Sequence, residues 1–127
     1  MKRSDLRILV VDDNDSTRSM VVAFLTGSGF FPYEVRDGAT AVHLMQNTVL
    51  DLIITDLLMP GGGGMQVIMA AKNLIPRPKV IVVSGAISST DFFQEAKEMG
   101  ADAVFPKPVT LQTLIGKIDE LLGCAAS

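Results

Sequence analysis

Short apolar runs and helical stripes take turns along this chain. Runs at 6–11, 52–54, 80–83 and 103–105 recur at similar intervals, and the first three are rich in Ile and Val without polar alternation. Strands covered on both faces of a parallel sheet read this way, because neither side of the strand meets water. A weaker run at 31–35 is interrupted by Pro32, which has no amide hydrogen to give a neighbouring strand. It predicts a strand nearer an edge.

Between the runs the apolar residues adopt helical spacing. Asp15 or Ser16 is placed to cap a helix that runs to about Thr26, where Gly27 and Gly29 end it. A short helix is expected over 38–46, with Ala41, Val42, Leu44 and Met45 on one side. Another is expected over 65–74, carrying Val67, Ile68, Ala71 and Leu74. Thr90 or Asp91 can cap a fourth over 92–99, stopped by Gly100. The last is the clearest: Leu111, Leu114, Ile115, Ile118, Leu121 and Leu122 form one stripe, opened by Thr110 and closed by Gly123.

The order is strand then helix, five times over. Right-handed crossovers turn such a chain into an open parallel sheet with helices on both faces, an α/β doubly wound architecture. The 127 residues suit one domain spanning 1–127, and 48% apolar residues are enough for a core. A net charge of −3 provides no basic field, so direct binding to nucleic acid or to an anionic membrane is not expected. No segment approaches the ~20 apolar residues of a membrane span. The charged start, Met1 to Asp5, and the four-residue apolar run behind it do not read as a signal peptide, which makes the cytoplasm the expected location. The single cysteine, Cys124, has no internal partner for a disulfide.

Open parallel sheets bind ligands beyond the C-terminal ends of their strands. The first run ends in Asp12-Asp13, the third in Asp56, the fourth in Ser84-Gly85 and the fifth in Lys107-Pro108. Each residue alone reads as an ordinary turn, cap or solvated side chain. Together they place three carboxylates, a hydroxyl and an ammonium at one edge of the fold. Three carboxylates in one crevice repel one another unless a cation neutralises them. A hard divalent cation with oxygen ligands does so, and Mg²⁺ suits a few carboxylates plus water and phosphate. A metal, a lysine and a hydroxyl around a carboxylate make a phosphoryl-transfer site, whose work is positioning and charge neutralisation.

This strand-end set, in this order and at these intervals, closely resembles the receiver domains of bacterial two-component response regulators, of which the chemotaxis regulators are one kind. The resemblance covers nearly the whole chain. Arg18, Met59-Pro60 and Gly100-Ala101-Asp102 add smaller matches. It implies a flavodoxin-like (βα)5 fold with strand order 2-1-3-4-5. It also implies a phosphorelay switch that catalyses only its own phosphorylation and dephosphorylation. Asp56 would be the phosphoacceptor, taking a phosphoryl group from a histidine kinase or a histidine phosphotransfer protein. Asp13, Asp56 and the backbone carbonyl of Leu58 would ligate Mg²⁺ (or Mn²⁺), with Asp12 holding it mainly through water. Lys107 would pair with one phosphoryl oxygen, and Ser84 would hydrogen-bond another, moving the loop that holds Gly85 and Ala86. The Lys107-Pro108 peptide is expected to be cis. A downstream protein or output domain would read the result, on a face built from the fourth helix, fifth strand and fifth helix.

Three positions depart from the family's pattern. Val104 stands where an aromatic residue often couples to the hydroxyl, and the neighbouring Phe105 should face the other side of its strand. Gly63-Gly64, within four consecutive glycines, replaces the common Asp-Gly, so that loop should be mobile. Leu58 puts an apolar side chain beside the acceptor, from which slow hydrolysis of the acyl phosphate is expected.

Other signals lead elsewhere. Gly61 to Gly64 lacks the Gly-Lys-Ser/Thr of a P-loop. His43, the one histidine, lies mid-helix, and the seven methionines are scattered like core filler. A competing enzyme reading comes from Asp13-Asn14-Asp15-Ser16-Thr17, which matches the D-x-D-x-T motif of haloacid-dehalogenase-like phosphatases. There Asp13 would be the nucleophile and Asp15 the general acid. That reading leaves Asp56 without a task, and only Asp119-Glu120, inside the last helix, remains for the motif's final acidic pair. A third reading is a pseudo-receiver, the same fold used for interaction alone, which would have no need of a metal.

Overall fold

The computed structural model describes residues 2–57, 63–85 and 90–123, with the backbone alone at 90–93. Five strands, β1 (Ile8–Val11), β2 (Tyr33–Val35), β3 (Leu52–Thr55), β4 (Lys79–Ser84) and β5 (Ala103–Pro106), form one parallel sheet in the order β2-β1-β3-β4-β5. Five helices alternate with them: α1 (Asp15–Gly27), α2 (Gly38–Asn47), α3 (Gly64–Lys72), α4 (Thr90–Met99) and α5 (Leu111–Leu122).

Successive strand residues feed opposite cores. Ile8, Val10, Leu52, Ile54, Ile81 and Val83 pack with Val21 and Leu25 of α1 and with Leu114, Ile115 and Ile118 of α5. Leu9, Val11, Ile53, Val80 and Val82 pack with Ala41 and Met45 of α2, with Val67, Ile68 and Ala71 of α3, and with Ala96 of α4. Two apolar layers explain why the central strands carry no polar alternation. The expected split at the last strand is present as well: Phe105 leans on the α1–α5 layer and Val104 on the opposite one.

The expected elements are all found, with shifts at their ends. β2 holds only the last three residues of its run and lies at an edge, where Pro32 falls outside the ladder. The cap of α1 is Asn14 rather than Asp15 or Ser16; its side chain accepts from the Thr17 amide at 3.0 Å, so the helix starts one residue earlier. Asp37 caps α2 by accepting from Thr40, and α3 starts at Gly64 and stops at Lys72. Thr110 caps α5, and Gly123 closes it in a left-handed conformation at φ 63°, which a residue without Cβ adopts freely. The first-turn capping contacts of α4 lie outside the described residues. No helix among the described residues is long and apolar enough to cross a membrane.

Candidate functional site

Register brings the site together. Val11 pairs with Thr55 at the ends of β1 and β3, so the residues that follow, Asp12 and Asp56, leave the sheet side by side. Ser84 pairs with Pro106, so Lys107 leaves β5 beside the end of β4. Backbone bonds hold these exits: the Asp56 amide donates to the Val11 carbonyl (3.0 Å) and the Lys107 amide to the Ser84 carbonyl (3.1 Å).

Lys107 reaches back across the sheet end. Its ammonium is 2.8 Å from Asp56 Oδ2 and 3.0 Å from Asp12 Oδ2. Asp12 and Asp56 are buried and Asp13 is exposed at the rim. Burial works against the charge on Lys107, but the hydrogen bonds and Coulomb attraction of Asp56 and Asp12 outweigh it and raise its pKa above the usual lysine value. The lysine is thus a held cation. The peptide joining it to Pro108 is cis, as expected.

Ser84 is 1% exposed, and its Oγ is buried without a hydrogen-bond partner among the described residues. A hydroxyl in that condition loses the water it would have in the unfolded chain and gains nothing in exchange. It is available to a group that enters the site.

Carboxylate oxygens of Asp12, Asp13 and Asp56 lie within 4.8 Å of one another. Three hard oxygen donors at that spacing suit a small divalent cation, and the single ammonium of Lys107 is fewer positive charges than three carboxylates can pair with. The donor set therefore fits Mg²⁺ or Mn²⁺. Leu58, expected to lend a backbone carbonyl, lies outside the described residues, as do Met59, Pro60 and Ala86.

Two supports of the acceptor strand were not read from the sequence. Thr55 is buried, and its hydroxyl donates to the carbonyl of Asp56 at 2.8 Å. Gly64 donates its amide to the Leu57 carbonyl, and its backbone presses so closely on this turn that a Cβ would sit 1.9 Å from the Asp56 carbonyl oxygen. Gly64 is a packed helix start. A threonine ending an Ile-rich strand and a glycine at a helix start were the available signals.

The loop after β1 is also fixed. Asp12 Oδ1 accepts from the Asn14 amide at 2.9 Å. Arg18 on α1 donates to the Asp12 carbonyl (2.8 Å), to Asp15 (2.6 Å) and to Glu34 of β2 (3.1 Å). Asp15 is engaged by Arg18, with Arg36 at 3.8 Å, and those contacts, the Arg18 hydrogen bond foremost, hold its carboxyl below the usual range. A general acid must carry a proton at working pH, so this surrounding opposes the role Asp15 has in the phosphatase reading.

The family model for the response regulator receiver domain matches residues 8–119. A cyclic di-GMP phosphodiesterase of Thermotoga maritima is 35% identical over 117 residues, which are 92% of this chain and 31% of that protein. The phosphate regulon transcriptional regulatory protein PhoB of Klebsiella pneumoniae is 33% identical over 91% of this chain and 51% of its own length. The chain thus spans about a third of the first of these curated relatives and about half of the second. Among solved structures, a CheY-like response regulator receiver domain protein from Methanospirillum hungatei superposes with a TM-score of 0.85 at 28% identity, covering 93% of this chain and 94% of that one.

Proposed function

Because the chain belongs to the response regulator receiver domain family, we propose that it is a phosphoacceptor switch of a two-component system in which Asp56 receives the phosphoryl group. The observation that carries this reading is the position of Lys107 on Asp56 and Asp12, with a Ser84 hydroxyl that has no partner among the described residues at the end of the next strand. A carboxylate oxygen of Asp56 attacks phosphorus. The new O–P bond forms as the bond from phosphorus to a partner's histidine nitrogen breaks, and that imidazole keeps the electron pair. Asp12, Asp13 and Asp56 would hold Mg²⁺ or Mn²⁺, and the family resemblance adds the Leu58 carbonyl to that set. When bound, the ion neutralises charge on the carboxylates and the phosphoryl oxygens. Lys107 moves from carboxylate to phosphoryl oxygen, and the Ser84 Oγ–H finds its acceptor there.

The donor is a histidine kinase or a histidine phosphotransfer protein in the cytoplasm, and the reader is a downstream protein or output domain. The domain turns over nothing but its own phosphoryl group. Converting a population from 1% to 99% active takes roughly 5.5 kcal/mol of differential interaction. New charge-assisted bonds to Lys107 and Ser84 supply about 1.5–3 kcal/mol each at most. Phosphorylation therefore gives a partial shift, completed by a reader that binds only the active form. Leu58, two positions after Asp56 in the sequence, slows hydrolysis by its apolar character, and Leu58→Asn should shorten the acyl-phosphate lifetime.

The test is incubation with Mg²⁺ and acetyl phosphate, followed by intact mass. One added phosphoryl group in the parent, absent in Asp56→Asn and absent without metal, is the expected outcome. No gain in either protein would point to the pseudo-receiver reading, and a gain that persists in Asp56→Asn but vanishes in Asp13→Asn would favour the phosphatase reading.

A further inference from the structure

Arg18 is more deeply held than an ion-pairing arginine on a helix surface needs to be. Its side chain is 11% exposed, and three of its nitrogens are each committed to a different element: Nη1 to the carbonyl of Asp12 after β1, Nη2 to Asp15 in the first turn of α1, and Nε to Glu34 on β2. The Asp12 carbonyl belongs to the peptide that joins Asp12 to Asp13. That peptide sets the directions in which both carboxylates leave the chain. On its other side, Asp12 Oδ1 is fixed by the Asn14 amide. The turn is thereby clamped at one carboxylate oxygen and one carbonyl.

We propose that Arg18 is a positioning residue for the divalent cation: it locks the Asp12–Asp13 peptide so that the two carboxylates and Asp56 stand together before the ion arrives. The inference rests on the cation site proposed above. A rigid, planar guanidinium with donors fixed in a fork is suited to three acceptors in different directions, and a lysine is not. Preorganising ligands in this way raises affinity without touching the ion, because the ordering of the loop is already complete in the free protein.

Charge and positioning predict opposite signs here, which makes the idea testable. Arg18 carries one positive charge, and Asp15 and Glu34 carry two negative ones. Deleting Arg18 makes the neighbourhood more negative, so charge alone would strengthen cation binding. Loss of positioning would weaken it. A role confined to holding the fold would lower the melting temperature of the metal-free protein and leave the affinity of the folded molecules unchanged.

The experiment is Mn²⁺ titration followed by the electron paramagnetic resonance signal of the free ion, at a temperature where circular dichroism shows every variant folded. The parent should bind one Mn²⁺ and Asp13→Asn should bind it far more weakly, which establishes the site independently of Arg18. Arg18→Ala is expected to weaken binding at least tenfold. Glu34→Gln, which keeps an acceptor for Nε, should stay within about twofold. Should Arg18→Ala not fold, Arg18→Lys keeps the charge and loses the fork, and a loss of threefold or more is expected of it. Unchanged or tighter binding in either arginine variant, beside a parent that binds, overturns the positioning role alone. A parent that binds no Mn²⁺ overturns the cation site and this inference with it.

Discussion

Replacing Lys107 with alanine separates what the lysine does for the fold from what it does for the chemistry. The side chains of Lys107, Asp12 and Asp56 are 19%, 7% and 9% exposed, so the triad lies between a surface ion pair and a buried one. Surface pairs contribute about 0–1 kcal/mol, whereas removing one partner of a buried pair costs roughly 3–5 kcal/mol because the other charge is stranded. Two stranded carboxylates, partly relieved by water entering the rim, place the loss at about 2–3 kcal/mol in metal-free buffer. The metal should offset it. At a hundred times its dissociation constant a ligand adds ~2.7 kcal/mol, so saturating Mg²⁺ should return Lys107→Ala close to the metal-free parent. The variant should also bind Mg²⁺ more tightly than the parent, since the ammonium no longer shares the carboxylates. pH supplies a further check. The folded-state pKa of Lys107 is raised from 10.5, so its contribution is complete below that value and disappears as pH rises through the folded pKa. The gap between parent and variant should hold from pH 7 to 9 and close at higher pH. The assay is urea unfolding with and without Mg²⁺. A variant as stable as the parent without metal, or one destabilised and not restored by Mg²⁺, would refute the reasoning.

Ser84→Ala should unfold at the same denaturant concentration as the parent or higher, by up to about 1 kcal/mol, because it deletes a buried hydroxyl with no partner among the described residues; an acyl phosphate formed on the variant should nonetheless shift the conformational equilibrium less, as read by amide chemical shifts. Gly64→Ala drives a Cβ to within 1.9 Å of the Asp56 carbonyl and 2.7 Å of Leu57 Cα, backbone atoms with little room to retreat, and should cost about 3 kcal/mol in unfolding experiments. Asp13→Asn removes an exposed carboxylate from a like-charged trio, and should stabilise the metal-free protein by up to about 1 kcal/mol while abolishing the Mg²⁺-dependent rise in melting temperature.

The fold was legible because β1, β3 and β4 are buried on two faces, which leaves runs such as Ile8-Leu9-Val10-Val11 with no polar residue to confuse the period. The site was legible because parallel strands all finish on the same side, so Asp12, Asp56, Ser84 and Lys107 could be gathered by asking what ends each run. Less visible was anything set by contact rather than period. Asn14, not Asp15, caps α1, since either side chain can accept from an amide and only the path of the loop decides. Thr55 looks like any β-branched strand residue until its hydroxyl is seen on the Asp56 carbonyl. Gly64 sits in a run of four glycines whose composition suggests slack, yet a Cβ there would collide with the Asp56 carbonyl. Arg18 stands out in the sequence only as a match to the family pattern, and the carbonyl it holds belongs to a turn whose shape no periodicity reports.

The central claim is that the phosphoryl group resides on Asp56. An acyl phosphate is reduced by borohydride to the alcohol, which marks the residue that carried it. Protein treated with acetyl phosphate and Mg²⁺ should yield, on peptide mass spectrometry, homoserine at position 56 and aspartate at 12, 13 and 15. Homoserine at position 13, with position 56 untouched, would contradict the account and transfer the chemistry to the loop after β1.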